Sequence, residues 1–231
     1  MLKKSPTPLK KKLAPVKKKL KIKAPRIANR GGYQVQDTWF HKAKAAWYRA
    51  RSAFKLIQLE EAIHIINPGM SVIDLGCAPG SWMQVLVHAV GENGLVLGID
   101  LQEVKKFAQK NITTLVGDMT HLETHSAIKK YFSDMGLRRC DLITSDVAPN
   151  TTGRNDDDQY NSSMLCLEVI KIADKFLAPG GNLVMKIFVG RDLNRVLDQA
   201  KNKFKIVKCI KPEACRDRSF EEYVVCKGYR G

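Results

Sequence analysis

From Ser71 onward the sequence alternates short runs rich in β-branched residues with longer amphipathic stretches, and that alternation admits few folds. The first five runs are 71–75 (SVIDL), 95–99 (LVLGI), 112–116 (ITTLV), 141–145 (DLITS) and 182–188 (NLVMKIF). Helical patterns lie between them near 80–90, 103–109, 122–133 and 159–177. Strands and helices in strict alternation build βαβ units, hence an α/β fold with a mostly parallel sheet and helices on both faces. Two further runs, 204–210 (FKIVKCI) and 223–227 (YVVCK), are separated only by the polar segment 211–222. That gap has no room for a crossover helix, so the two are expected to pair antiparallel at the sheet edge. Ahead of the sheet, Asp37 is placed to cap a helix over 38–48, and Ser52 a second over 53–66. Phe54, Leu56, Ile57, Leu59, Ile63 and Ile66 give the second an apolar stripe, and Asn67-Pro68-Gly69 stops it.

Charge divides the chain differently. The net charge is +16, of which residues 1–30 carry +12 and the other 201 residues +4; no acidic residue precedes Asp37. Pro6, Pro8, Pro15 and Pro25 break this basic stretch, and it has no periodic apolar face to bury. A disordered tail over 1–36 and one folded domain over 37–231 are therefore expected. A flexible cationic arm attracts polyanions, nucleic acid foremost. No apolar core follows the charges, which argues against a secretory signal, and no apolar run is long enough to span a bilayer. A cytoplasmic location is expected, or a mitochondrial one if the tail is a transit peptide. The six cysteines show no two-residue spacing of a zinc or redox motif, so reduced thiols and no metal are expected.

Polar residues gather where the strands end. Asp74 lies late in the first run, Asp100 just after the second, Asp118 after the third and Asp146 after the fourth, while Lys186 interrupts the fifth. Ligands of open α/β sheets bind beyond the carboxyl ends of the strands, and a lysine between Met185 and Ile187 is costly in a core unless paired. The first strand runs into Gly76-Cys77-Ala78-Pro79-Gly80-Ser81-Trp82. Glycines there let the backbone approach a ligand, and the free amides of the following helix would face it. This turn has neither the GxGxxG of dinucleotide enzymes nor the GK[ST] of a phosphate loop. Asp100 is placed to accept both hydroxyls of an adenosine ribose, a role common to several adenosine-containing cofactors.

From Tyr48 to Gly228 the sequence resembles the FtsJ-type ribosomal RNA 2′-O-methyltransferases. The matching segments are YRARSAFKL (48–56), PGMSVIDLGCAPGSW (68–82), SDVAPN (145–150), LAPGGNLVMKIF (177–188) and RDRSFEEYVV (216–225). The resemblance implies a Rossmann-like methyltransferase fold, a seven-stranded sheet with an antiparallel last strand. It also implies a Lys-Asp-Lys-Glu tetrad on Lys55, Asp146, Lys186 and Glu221, and S-adenosylmethionine binding at Gly80, Trp82, Asp100, Asp118 and Asp146. Glu221 and Glu222 are adjacent; the flanking Ser219 and Tyr223 favour Glu221, and neighbouring strand residues point to opposite faces. The substrate implied is a uridine in the A loop of large-subunit ribosomal RNA, reached in the assembled subunit by a monomeric enzyme.

In-line methyl transfer needs the 2′-oxygen held on the axis of the S–CH₃ bond and relieved of its proton. Lys186 is expected to contact the hydroxyl as base, with Lys55 steadying the developing oxyanion and the two carboxylates orienting both lysines. Arg49, Arg51, Arg154, Arg216 and Arg218 are candidates for gripping phosphates beside the target nucleotide. Competing readings are methylation of transfer RNA or of an mRNA cap, a non-catalytic RNA-binding or ribosome-assembly factor, and a NAD-dependent oxidoreductase. The intact tetrad disfavours the factor, and the missing GxGxxG the oxidoreductase.

Overall fold

A parallel strand is covered on both faces, so its side chains must be apolar in both directions. The first strand, β1 (Ser71–Leu75), is buried at every residue, and the computed structural model, which describes residues 35–215 and 219–231, builds the sheet around it. In chain order the elements are α1 (Val35–Ala45), α2 (Ala53–Ile63), β1, α3 (Ser81–Val90), β2 (Leu95–Asp100), β3 (Ile112–Val116) and α4 (Leu122–Asp134). They continue with β4 (Cys140–Ser145), α5 (Asn155–Phe176), β5 (Leu177–Phe188), α6 (Leu193–Lys203), β6 (Phe204–Ile210) and β7 (Glu221–Tyr229). The tail expected over 1–36 lies outside the described residues, apart from Val35 and Gln36, which open α1.

The seven strands are ordered β3-β2-β1-β4-β5-β7-β6. The pairs from β3 through β5 are parallel, and β7 runs antiparallel to both β5 and β6. This is the expected fold, with the last strand inserted between β5 and the edge strand β6. Strand alternation sends side chains into two separate cores. Ile73, Leu75, Leu97, Ile143, Leu183, Met185 and Val224 pack with α4, α5 and α6, whereas Val72, Val96, Leu142, Val184 and Val225 pack with α2 and α3. Lys186 and Tyr223 are opposed in the β5–β7 ladder, so both side chains lie on the face that carries α2.

Several expectations need correction. No helix forms over 103–109; Val104 and Phe107 suggest a helical stripe but instead pack against Gly80, where an added Cβ would meet them at 3.1 and 2.7 Å. α6 is an element the sequence reading does not anticipate, although Leu193, Val196, Leu197 and Ala200 recur at helical spacing; Val196 and Ala200 are buried, and Leu193 and Leu197 pack against the core. α2 ends at Ile63 rather than 66, at His64 with φ 47°, and Ser52 makes no capping bond; Asp37 lies inside α1 rather than ahead of it. β5 starts at Leu177, because a register shift between Cys140 and Leu142 absorbs the residues before Asn182.

Candidate active site

The sheet reverses its winding between β1 and β4, and at such a switch point the loops leaving the two strands part and open a crevice. Gly76 leaves β1 there with φ 70°, and a Cβ on it would lie 2.8 Å from the Val147 side chain in the loop after β4. Beside it the Asp146 amide donates to Leu75 O at 3.2 Å, so the Asp146 carboxylate leaves the sheet at its carboxyl edge.

Four charged side chains meet at this edge. Lys186 Nζ donates to the Asp146 backbone oxygen at 2.6 Å and lies 3.2 Å from Asp146 Oδ1. Lys55, from the first turn of α2, forms an ion pair with Glu221 Oε1 at the start of β7. Lys55 and Lys186 are 8% and 9% exposed, so both ammonium groups depend on these carboxylates and carbonyls. Glu222 is opposed to Ile187 and points to the other face of the sheet. The structure thus brings Lys55, Asp146, Lys186 and Glu221 together and leaves Glu222 out.

Tyr223 joins the two pairs. Fully buried, its hydroxyl lies 2.8 Å from Asp146 Oδ1 and 3.1 Å from Glu221 Oε1, and its single proton can be donated to only one of them at a time. Burial, then the Asp146 and Glu221 charges, push the phenol well above its ordinary pKa, so it stays a donor at neutral pH. Burial works to raise the Glu221 carboxyl, but the charge and hydrogen bond of Lys55, helped by Lys186, bring it below the ordinary value. Glu221 is therefore an anion here. In the sequence Tyr223 reads only as a flank for aligning the glutamates. The available signal was its place two residues after Glu221 on one strand, which puts both on one face.

Of the residues expected to hold the cofactor, Gly80, Trp82 and Asp100 lie in or against the adjoining turn, and Asp118 follows β3. Gly80 takes φ 100°, and a Cβ on it would meet Arg49 Nη1 at 2.6 Å and the Phe107 ring at 2.7 Å. Asp100 Oδ2 accepts from the Ala78 amide and Oδ1 from the Gln102 amide, each at 2.8 Å, tying the end of β2 to the glycine turn. Trp82 is 2% exposed; its Nε1 donates to Ser52 O at 2.8 Å and its ring lies 5.6 Å from that of Tyr223, so it braces the turn against α2. Asp118 accepts from the Thr120 amide and hydroxyl at 2.8 and 2.7 Å, and these bonds hold its carboxyl below the ordinary value.

Asp74 is 1% exposed; Thr144 Oγ1 donates to its Oδ1 at 2.7 Å, while Oδ2 has no partner among the described residues. Burial pushes its pKa up to about 8, against the Thr144 bond. Of the arginines expected to grip phosphates, Arg49 is committed elsewhere: it donates to Pro79 O and Lys106 O, each at 3.0 Å, and stacks 3.7 Å over Phe107. Arg154 pairs with Asp157, and Arg216 and Arg218 lie outside the described residues. Among the described residues no group of three or more His, Cys, Asp or Glu is placed to hold a metal ion, and no helix is long and apolar enough to cross a membrane.

The model of the FtsJ-like methyltransferase family matches residues 48–229. The ribosomal RNA large subunit methyltransferase E of Halorubrum lacusprofundi is 39% identical over 193 residues, which are 84% of this chain and 71% of that protein. The protein of the same name from Methanocaldococcus jannaschii is 40% identical over 196 residues, covering 85% and 80%. The crystal structure of a ribosomal RNA methyltransferase from Plasmodium falciparum superposes with a TM-score of 0.71 at 28% identity, over 80% of this chain and 100% of that one.

Proposed function

The chain belongs to the FtsJ-like methyltransferase family, and on that premise we propose that it moves a methyl group from S-adenosylmethionine to a ribose 2′-hydroxyl of RNA. The observation that carries this reading is the pairing of Lys186 with Asp146 and of Lys55 with Glu221 around Tyr223, beside the glycine turn at the switch point. The target proposed is a uridine in the A loop of large-subunit ribosomal RNA within the assembled subunit. The names of the relatives support the ribosomal part of that statement.

The turn fits such a cofactor. A backbone with φ 70° at Gly76 and φ 100° at Gly80 can approach a ligand that a Cβ would hold off, and the opening amides of α3 are donors without helical acceptors. Asp100 would take the ribose hydroxyls, Gly80, Asp118 and Asp146 would line the rest of the site, and Trp82 would hold the turn in place. The bound cofactor supplies an activated methyl group on a sulfonium.

The protein's residues have the remaining work of holding the acceptor oxygen and accepting its proton. Lys186 is the group we assign to the hydroxyl: once its ammonium has released a proton to solvent, the neutral amine, aimed by Asp146, accepts the hydroxyl proton. Lys55, held by Glu221, supplies positive charge as the oxygen becomes anionic. Tyr223 keeps the two carboxylates at fixed separation, so both lysines share one frame. The basic stretch over 1–30 is proposed as a cationic arm for RNA.

The test is to incubate the purified protein with methyl-labelled S-adenosylmethionine and large ribosomal subunits, then map the label by nucleotide digestion. One 2′-O-methylated nucleoside is expected. Label on a base, or on transfer RNA in preference to the ribosomal substrate, would reject the reading.

A further inference from the structure

We propose that Trp47 is a platform on which an unpaired base of the RNA stacks, beside the nucleotide being methylated; this rests on the reading of the chain as an RNA methyltransferase. Trp47 is 88% exposed, so its indole contributes almost no buried area to the fold. It also takes φ 60°, the left-handed region, where a bulky side chain is an outlier. Neither packing nor backbone preference explains a tryptophan here, and strained positions held in place by their surroundings gather where a surface serves a ligand.

The surroundings do hold it. Gln84 of α3 donates from Nε2 to Trp47 O at 3.0 Å, and its Oε1 accepts from the Arg49 amide at 2.7 Å. One turn earlier on α3, Ser81 Oγ lies 2.7 Å from Ser52 Oγ, three residues before Lys55. The helix that begins at the glycine turn therefore fixes the Trp47 backbone relative to Lys55.

Charge argues for RNA as the occupant. Between Thr38 and Leu59 there is no Asp or Glu, and Lys42, Lys44 and Arg51 stand there in addition to Arg49 and Lys55, whose side chains are committed within the fold. Single-stranded RNA is bound by aromatic rings that stack on its bases and by cations along its backbone, whereas a duplex offers no free base face.

The test compares Trp47→Ala, Trp47→Phe and Trp47→Gly with the wild type, measuring affinity for a labelled single-stranded RNA and for the duplex of the same sequence. Glycine suits the left-handed backbone, so a loss shared by the Ala and Gly variants does not come from misfolding. The expected result is a loss of about tenfold for the single strand in both, with duplex binding and cofactor affinity unchanged and Phe restoring most of the loss. Equal affinities for the single strand, or equal losses on single strand and duplex, would overturn the proposal. So would unchanged RNA binding with loss of a dimer in sedimentation, which would assign the ring to a second copy of this chain. A wild type that neither binds nor methylates RNA would reject the underlying reading as well, whereas methylation untouched by Trp47→Ala would reject only this one.

Discussion

Lys186 and Tyr223 face each other across the β5–β7 ladder, and both reach the same atom: Asp146 Oδ1 is 3.2 Å from the lysine nitrogen and 2.8 Å from the phenol oxygen. The shared oxygen ties a strand that ends at the switch point to one that was added antiparallel beyond it. Tyr223→Phe keeps the ring and removes the link. It should cost about 1 kcal/mol of stability, the worth of a typical hydrogen bond, and lower kcat by roughly tenfold while cofactor affinity holds. Thermal unfolding, titration calorimetry and steady-state kinetics on the variant check the three parts; an unchanged kcat would reduce Tyr223 to a packing residue.

Glu221 and Glu222 are neighbours with opposite destinies. The first is paired with Lys55, and the second is opposed to Ile187 on the far face. Glu221→Gln should lower methyl transfer at least tenfold and destabilise by about 2 kcal/mol, since a charge-assisted bond is lost. Glu222→Gln should do neither. Side-by-side turnover and urea midpoints decide, and equal effects would contradict the assignment.

SVIDL, ITTLV and FKIVKCI begin and end in the structure where the sequence places them. SVIDL was legible because burial on both faces leaves an apolar run, whereas ITTLV and FKIVKCI, at the two edges of the sheet and only partly buried, were legible through their β-branched residues. Segments whose shape comes from one partner were not. Val104 and Phe107 have helical spacing, yet Arg49 stacks on Phe107 and bonds Lys106 O, which holds 101–110 as a loop over Gly80. At the site, Lys186 stood out as a charge inside an apolar run. Lys55 and Glu221 carried no such mark; each becomes intelligible only beside the other, and they are 166 residues apart in the chain.

Asp74 gives a pH dependence whose sign is fixed. Its carboxyl is pushed up to about 8 in the fold, against 3.8 for an ordinary aspartate. Between those values the native state keeps a proton that the unfolded chain releases, so this group's contribution makes stability fall as pH rises from about 4 to about 8. Asp74→Asn removes the titration. Melting temperatures of the cofactor-free protein from pH 5 to pH 9 should show the variant gaining on the wild type as pH rises; parallel curves would mean the carboxylate is ionised throughout.

The first thirty residues carry +12 and lie outside the described structure. Deleting them should weaken RNA binding and flatten its dependence on salt, because each phosphate contact by Lys or Arg releases counterions. The loss should be nearly the same for unrelated RNA sequences, since contacts to phosphate carry no base readout. Affinities at several salt concentrations with and without the segment provide the check. Identical slopes would leave RNA recognition to the folded domain.

The central claim is that Lys186 acts on the acceptor hydroxyl and not on the cofactor. It is tested most directly by pairing two readings on Lys186→Ala: the dissociation constant of S-adenosylmethionine by calorimetry, and label transferred to ribose in large ribosomal subunits. The account predicts an unchanged dissociation constant with methyl transfer abolished. Lost cofactor binding accompanied by residual transfer would contradict it.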